Sequence, residues 1–320
     1  MWTDPLIRRL LAICSPAGSS GRLSIFIFHR VLAAPDPLFP GEVDVNRFSE
    51  MLSWITKWFH VLPLGDAVDG LQRRSLPARS ASITFDDGYT DNATNALPIL
   101  QRHDAPATFF VATGYLNGGR MWNDTIIEAV RSTRQSKLEL GSIGAGTLPT
   151  TSIHEKQQAI ERLIGLIKYR DYRERDELAT AIAEQADSPL PDNLMMTDTQ
   201  VRELHAAGMT IGAHTVDHPI LRLCDSAEAR REISASRDYL EALSGDKVTL
   251  FAYPNGKPGT DYLPEQARLV EELGFKAAVS TAPGASRAGD DVFQLRRFTP
   301  WDRSRHKFAA RLALNLTRRD

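Results

Sequence analysis

The sequence is poor in features that would assign it quickly to a class of protein. Only two of its 320 residues are cysteine, Cys14 and Cys224, which does not indicate a disulfide framework or a cysteine-rich zinc site. The formal net charge is −2, so no basic surface for nucleic acid is expected. No apolar run reaches the roughly 18 residues of a membrane span. The apolar run at residues 10–14 is too short for a secretory signal, which predicts a cytoplasmic location.

What the sequence does contain is a regular alternation of short apolar runs and longer segments with helical spacing. With 42% hydrophobic and 24% charged residues, residues 1–320 can form one large folded domain. The alternation predicts an α/β fold with a parallel sheet, and about seven units favour a closed or nearly closed barrel. The predicted strands are residues 23–28, 61–64, 80–85, 107–112, 209–213, 248–253, 275–280 and 292–295.

Two segments depart from this alternation. Residues 117–196 are polar and rich in helical patterns, with a glycine-containing loop near 141–146, and are predicted to be a helical insertion beside the sheet. Residues 303–320 carry six Lys or Arg side chains, with Phe308, Leu312 and Leu316 spaced four apart. That pattern fits either a basic amphipathic helix touching a membrane surface or a terminal helix packed on the domain.

Three polar loops follow predicted strands directly, and in a parallel barrel the ends of these strands share one rim. The loops are Asp86-Asp87-Gly88, His214-Thr215-Val216-Asp217-His218 and Pro254-Asn255-Gly256.

The two histidines of the second loop are candidate metal ligands. Pro219 disfavours helical backbone at His218, so His214 and His218 are expected on a loop. Two imidazoles and one carboxylate can hold a divalent metal and leave positions open for water. The alternative is a pair of solvated or capping histidines.

The adjacent carboxylates Asp86 and Asp87 repel each other unless a cation lies nearby. One can then bind the metal while its neighbour accepts a proton from water. The alternative is an ordinary Asp-Gly turn with solvated charges.

Thr84-Phe85-Asp86-Asp87-Gly88 and the two later loops resemble, in the same order, the first three motifs of the polysaccharide deacetylase family, also called carbohydrate esterase family four or the NodB-homology domain. The resemblance extends over roughly residues 23–300. It implies a distorted (β/α) barrel that hydrolyses acetyl groups on amino-sugar polymers. By motif position it implies that Asp86 is the general base, that the metal, usually zinc, is bound by Asp87, His214 and His218, and that the backbone N–H of Asn255 stabilises the oxyanion.

The chain differs from the family pattern at two places. The arginine expected two residues before Pro254 is replaced by Ala252, and Arg297 or Arg30 are candidates to steady the base instead. No histidine near the C-terminus suits the role of general acid. The apolar segment ending in His29 resembles the rearranged order of poly-N-acetylglucosamine deacetylases, which implies that His29 is the acid.

These features together predict a metal-dependent hydrolase that removes acetyl groups from N-acetylated sugars of a polysaccharide or glycan precursor. Trp122 and Asn123 are candidates to line the sugar site, and packing is the other role open to Trp122. Three alternatives stay open: a non-catalytic carbohydrate-binding component of a polysaccharide assembly complex, a deacylase of another amide, and a non-haem iron oxygenase, which uses the same ligand set.

Overall fold

A computed structural model describes residues 3–318. The strands are β1 to β11, in the order Arg22–Phe28, His60–Val61, Ser80–Phe85, Ala107–Val111, Lys137–Leu140, Gly146–Pro149, Thr210–Ala213, Leu250–Ala252, Ala277–Pro283, Ser286–Arg287 and Leu295–Arg297. The helices are α1 to α11, in the order Asp4–Cys14, Val45–Trp58, Leu64–Gln72, Leu97–Arg102, Trp122–Ser132, Ile153–Ile167, Tyr172–Ala186, Asp198–Ala206, Ser226–Ser244, Pro264–Glu272 and Arg305–Thr317.

Seven parallel strands form the central sheet, in the order β1-β3-β4-β7-β8-β9-β11. The sheet returns on itself just after β11. Phe298 N donates to Ile25 O at 2.7 Å, and Ile27 N donates to Phe298 O at 3.1 Å. The predicted α/β barrel of about seven strands is therefore confirmed. Two short strands add to this barrel: β10 pairs antiparallel with the start of β1, and β2 pairs parallel with the start of β3.

The elements form where the sequence pattern places apolar residues. Every residue of β3 is buried, as expected for a parallel strand covered on both faces. Helix α2 buries Phe48, Met51 and Ile55 on one face, and its first turn is capped by the Asp44 carboxylate, which accepts from two backbone N–H groups.

The predicted strand at residues 292–295 is wrong over most of its length. Val292–Gln294 forms a 3₁₀ turn, and the strand begins at Leu295. The reason is local, because the Asp291 carboxylate accepts a hydrogen bond from Phe293 N at 2.9 Å and holds the chain in a turn.

The 117–196 region contains α5, α6 and α7 and a hairpin of β5 and β6. The sequence predicts only a loop near residues 141–146, where this hairpin turns. A hydrophobic cluster separate from the barrel core holds the region together, with Ile126, Leu163 and Ile182 fully enclosed. Leu38, from the loop that follows β1, joins the same cluster.

The apolar residues spaced four apart on the C-terminal helix pack against the rest of the domain. Phe308, Leu312 and Leu316 are all completely buried, and Phe308 lies against Trp54 and Trp58 of α2. Helix α11 therefore packs on the domain, and its apolar stripe is not available to lipid. Among residues 3–318, no helix has the length and apolar character to span a membrane.

Candidate active site

Asp87, His214 and His218 converge at the carboxyl-end rim of the barrel. Asp87 Oδ1 lies 3.3 Å from His214 Nε2 and 3.4 Å from His218 Nε2. One ligand atom from each side chain falls within 4.8 Å of the others, and all three residues are buried. The rim thus brings together two imidazoles and a carboxylate.

Unusual backbone geometry aims these side chains. Asp87, Thr215, His218 and Asn255 have φ angles of 76°, 65°, 50° and 57°. This left-handed region is costly for side chains with a Cβ, above all for the β-branched Thr215. Gly88 has φ 90°, and a Cβ there would lie 3.0 Å from Val111 Cγ1. Four of the nine non-glycine residues with positive φ among residues 3–318 therefore lie in the three loops that carry the motif residues.

Hydrogen bonds fix the second loop. His214 Nδ1–H donates to Ala252 O at 2.7 Å, which leaves Nε2 as the nitrogen with a free lone pair. The buried Glu232 of α9 accepts from Val216 N at 3.0 Å and from Asp217 N at 2.9 Å. Arg175 of α7 donates to His218 O at 3.2 Å.

Asp86 lies next to the three candidate metal ligands and accepts two hydrogen bonds from Arg297. Nη1 and Nη2 of Arg297 donate to Oδ1 and Oδ2 of Asp86, both at 2.7 Å. Arg297 is itself held by Nε donating to Ser280 O at 2.8 Å. This is the planar two-bond arrangement that a guanidinium makes with a carboxylate. Of the two arginines considered from the sequence, Arg297 contacts Asp86, whereas Arg30 pairs with Asp91 at 2.8 Å.

These contacts set the protonation of the site. Burial alone would raise the pKa of Asp86, but the charge and hydrogen bonds of Arg297 hold that pKa below its ordinary value. Burial is likewise outweighed at Asp87, whose pKa is lowered by His214 and His218. Burial lowers the pKa of His218 to about 3, so its imidazole is neutral, as metal binding requires.

A cavity of about 380 Å³ opens above these groups, a volume typical of small-ligand sites. Six of the seven residues predicted for the site line it: His29, Asp86, Asp87, His214, His218 and Asn255. Arg297 stands behind Asp86, outside the cavity lining. His29 follows directly on β1 and is exposed, and its carbonyl accepts from Asn92 Nδ2 at 2.8 Å.

The 117–196 region forms one wall of the cavity. Trp122 and Asn123, at the start of α5, line it as the sequence analysis expects of a sugar site. The sequence analysis missed Asp124 and Tyr89, which line the same cavity. Tyr89 Oη donates a hydrogen bond to Asp124 Oδ2 at 3.0 Å. Tyr89 follows the Asp-Asp-Gly loop by one residue, which is the signal that could have found it. The sequence gives no signal for a site role of Asp124, because an acidic residue in the first turn of a helix is already explained by its favourable interaction with the helix dipole.

The donor set fits a divalent cation. Asp87 Oδ1 faces two imidazole Nε2 atoms at van der Waals range, an arrangement that a shared cation stabilises. Two nitrogens and one oxygen match a catalytic zinc set with an open position.

The model of the polysaccharide deacetylase family matches residues 73–173 and 178–278, about two thirds of the chain. The chain belongs to the polysaccharide deacetylase family. The match includes the Asp-Asp-Gly and histidine loops, so the resemblance noted from the motifs is confirmed.

The chain is also similar to one relative in sequence and to solved structures in fold. YxkH of Bacillus subtilis (strain 168) is 21% identical over 278 residues, which covers 86% of this chain and 70% of YxkH. The fold is similar to that of the Streptococcus pyogenes deacetylase PplD, solved in complex with acetate (TM-score 0.61, 19% identity, 91% of this chain and 98% of that one). It is also similar to IcaB from Ammonifex degensii (TM-score 0.57, 18% identity, 95% and 99%).

Proposed function

We propose that the protein is a metal-dependent deacetylase that hydrolyses the acetamido group of an N-acetylated sugar in a polysaccharide or glycan precursor. The observation that carries the proposal is the buried Asp86 carboxylate, held by Arg297 at 2.7 Å beside three converging metal ligands in one cavity. Membership of the family supports the same reaction class.

Asp87, His214 and His218 would hold the metal, and zinc suits two imidazoles and one carboxylate. When bound there, a zinc ion supplies Lewis-acid polarisation of the acetyl carbonyl. The orientation of His214 by Ala252 O keeps Nε2 directed at the ligand position.

Asp86 takes the proton of the attacking water. Because Arg297 holds its pKa low, the carboxylate is ionised at neutral pH and ready to accept. The Arg297 bonds also fix the direction of the carboxylate, so that its position needs no adjustment during the reaction.

His29 returns a proton to the departing amine from another side of the same cavity. The backbone N–H of Asn255, in a loop held by Thr281 Oγ1 donating to Asn255 O at 2.9 Å, stabilises the negative charge of the tetrahedral intermediate. Acetate and a free amino sugar are the products.

The test is acetate release from short N-acetylglucosamine oligomers after chelation and zinc re-addition. We expect zinc to restore release by the wild type and Asp86→Asn to lower kcat by 10²-fold or more, because a positioned base contributes on that order. The matched control is Glu272→Gln, which changes a carboxylate 62% exposed on α10.

Release that persists in Asp86→Asn, or that chelation leaves unchanged, would contradict the proposed mechanism. Sugar binding without acetate release by the zinc-loaded wild type would instead indicate a carbohydrate-binding component. Release of acyl groups only from compounds without a sugar would indicate a deacylase of another amide.

A further inference from the structure

A carboxyl group outside the family motifs faces the catalytic cavity. Asp124 lies in the first turn of α5, in the 117–196 region, and is only 4% exposed. It lines the same cavity as Asp86, Asp87 and His29. The proposed reaction gives it no role, because Asp86 already serves as base and Asp87 as ligand.

One oxygen of Asp124 is fixed and the other is not. Tyr89 Oη donates to Asp124 Oδ2 at 3.0 Å, and the Arg30 guanidinium lies over the Tyr89 ring, 4.7 Å from its centroid. Within residues 3–318, no donor bonds to Oδ1. Oδ1 is not one of the fully buried unpaired polar atoms of these residues, so it can be reached from the cavity that Asp124 lines and can accept a hydrogen bond from a ligand there.

The surroundings favour a neutral hydroxyl group over a cation as that ligand. Arg30 already places a positive charge near the pair while bonding to Asp91 at 2.8 Å. Burial raises the pKa of Asp124 to about 7 against the opposing charge of Arg30, so the group is not a full anion at neutral pH. Trp122, two residues earlier, adds an aromatic wall suited to the apolar edge of a sugar ring.

We propose that Asp124, positioned by Tyr89, is a specificity-determining subsite that binds a ring hydroxyl of the sugar carrying the acetyl group. The subsite rests on the proposed function, since it assumes a sugar in the cavity. It selects sugars whose hydroxyl is free and excludes those in which that hydroxyl is substituted.

The subsite can be tested without catalysis, by calorimetric titration of metal-free protein with tri-N-acetylchitotriose. We expect Asp124→Ala to weaken binding at least tenfold and Asp124→Asn, which keeps an acceptor oxygen, to weaken it less. The control is Glu177→Gln on α7, an exposed carboxylate of the same 117–196 region that does not line the cavity. Thermal unfolding of each variant identifies any loss of fold.

A second measurement compares two substrates of the zinc-loaded enzyme. Asp124→Ala should lower kcat/KM for the chitotriose by about 10²-fold, the loss expected when a hydroxyl loses its buried partner. Hydrolysis of 4-nitrophenyl acetate, which has no sugar, should change less than twofold.

Chitotriose binding that is unchanged in folded Asp124→Ala, or absent in the wild type, would overturn the subsite. An equal loss on both substrates would do the same. Binding that depends on Asp124 in a protein that releases no acetate would keep the subsite and refute only the proposed reaction.

Discussion

At the scale of single residues, the site depends on a buried pair of opposite charges. Asp86 and Arg297 are 2% and 1% exposed, so each depends on the other to offset its charge. Removing one partner of such a pair leaves an uncompensated charge, whereas removing both is far less costly. Arg297 therefore supports the base and the barrel at once.

Arg297→Met tests this dependence. We expect it to lower the free energy of unfolding by about 3–5 kcal/mol, because Asp86 stays buried without its partner. The pKa of Asp86 should rise as well, since the charge of Arg297, the strongest influence that opposes burial, is then gone. Activity that needs the ionised carboxylate should shift its acid limb to higher pH, measured as the pH profile of acetate release.

The double variant Asp86→Asn/Arg297→Met separates the pair from simple packing. It should recover part of the stability lost in Arg297→Met, measured by urea unfolding as a double-mutant cycle. Additive losses would show that Arg297 stabilises the barrel independently of Asp86.

At the scale of elements, helix α7 of the 117–196 region contacts the loop of the proposed metal ligand His218. Arg175 is 1% exposed, donates to His218 O at 3.2 Å and lies 5.0 Å from the centroid of the Trp122 ring. His218 has φ 50°, so its backbone needs support from neighbouring groups. Arg175 is thus a positioning residue for one of the ligands.

Arg175→Met should weaken zinc binding about tenfold or more, in the range reported for groups that orient ligands. Affinity would be measured by competition with a chromophoric chelator, using protein shown to be folded. The control is Arg173→Met on the same helix, whose side chain is 67% exposed. Reduced stability with unchanged zinc affinity would limit Arg175 to a packing role.

Much of the element pattern could be predicted from sequence because its signals are local. Strand β3 matches the predicted residues 80–85. Helix α8 begins at a capping box formed by Thr197 and Gln200, which is also a local signal. The β5–β6 hairpin was missed because its strands have only four residues each. In β5 the alternation of buried and exposed positions consists of just two buried residues, Leu138 and Leu140. A two-residue pattern of this kind is too short to distinguish a strand from a loop.

The site was predictable where a motif orders its residues and not where the fold alone brings them together. The loops holding Asp87, His214 and His218 each follow a strand, so a parallel barrel places them on one rim. From the sequence alone, Arg297 was one of two candidates to contact Asp86, and Arg30 was the other. The contact of Tyr89 with Asp124 depends on how α5 packs over the rim, which no local pattern encodes.

At the scale of the whole molecule, the three proposed metal ligands come from two separate strands of the barrel. Asp87 follows β3, whereas His214 and His218 follow β7, with β4 between them. Because an ion bound there is held only in the folded state, zinc should stabilise the whole barrel by mass action.

Zinc at 100 times its Kd should add about 2.7 kcal/mol to the free energy of unfolding. Thermal unfolding of chelator-treated protein across a zinc titration measures this, with Asp87→Ala as the comparison. The midpoint should rise with zinc in the wild type and stay flat in Asp87→Ala. An equal rise in both would place the stabilising zinc at another site.

The closure of the barrel by β11 also has a consequence for the order in which the protein is made. Asp86 and its partner Arg297 are separated by 211 positions in the chain. At about 5–20 residues per second, the ribosome needs roughly 10–40 s to reach Arg297 after Asp86 has been added. Throughout that interval Asp86 lacks the partner that neutralises its charge in the complete barrel.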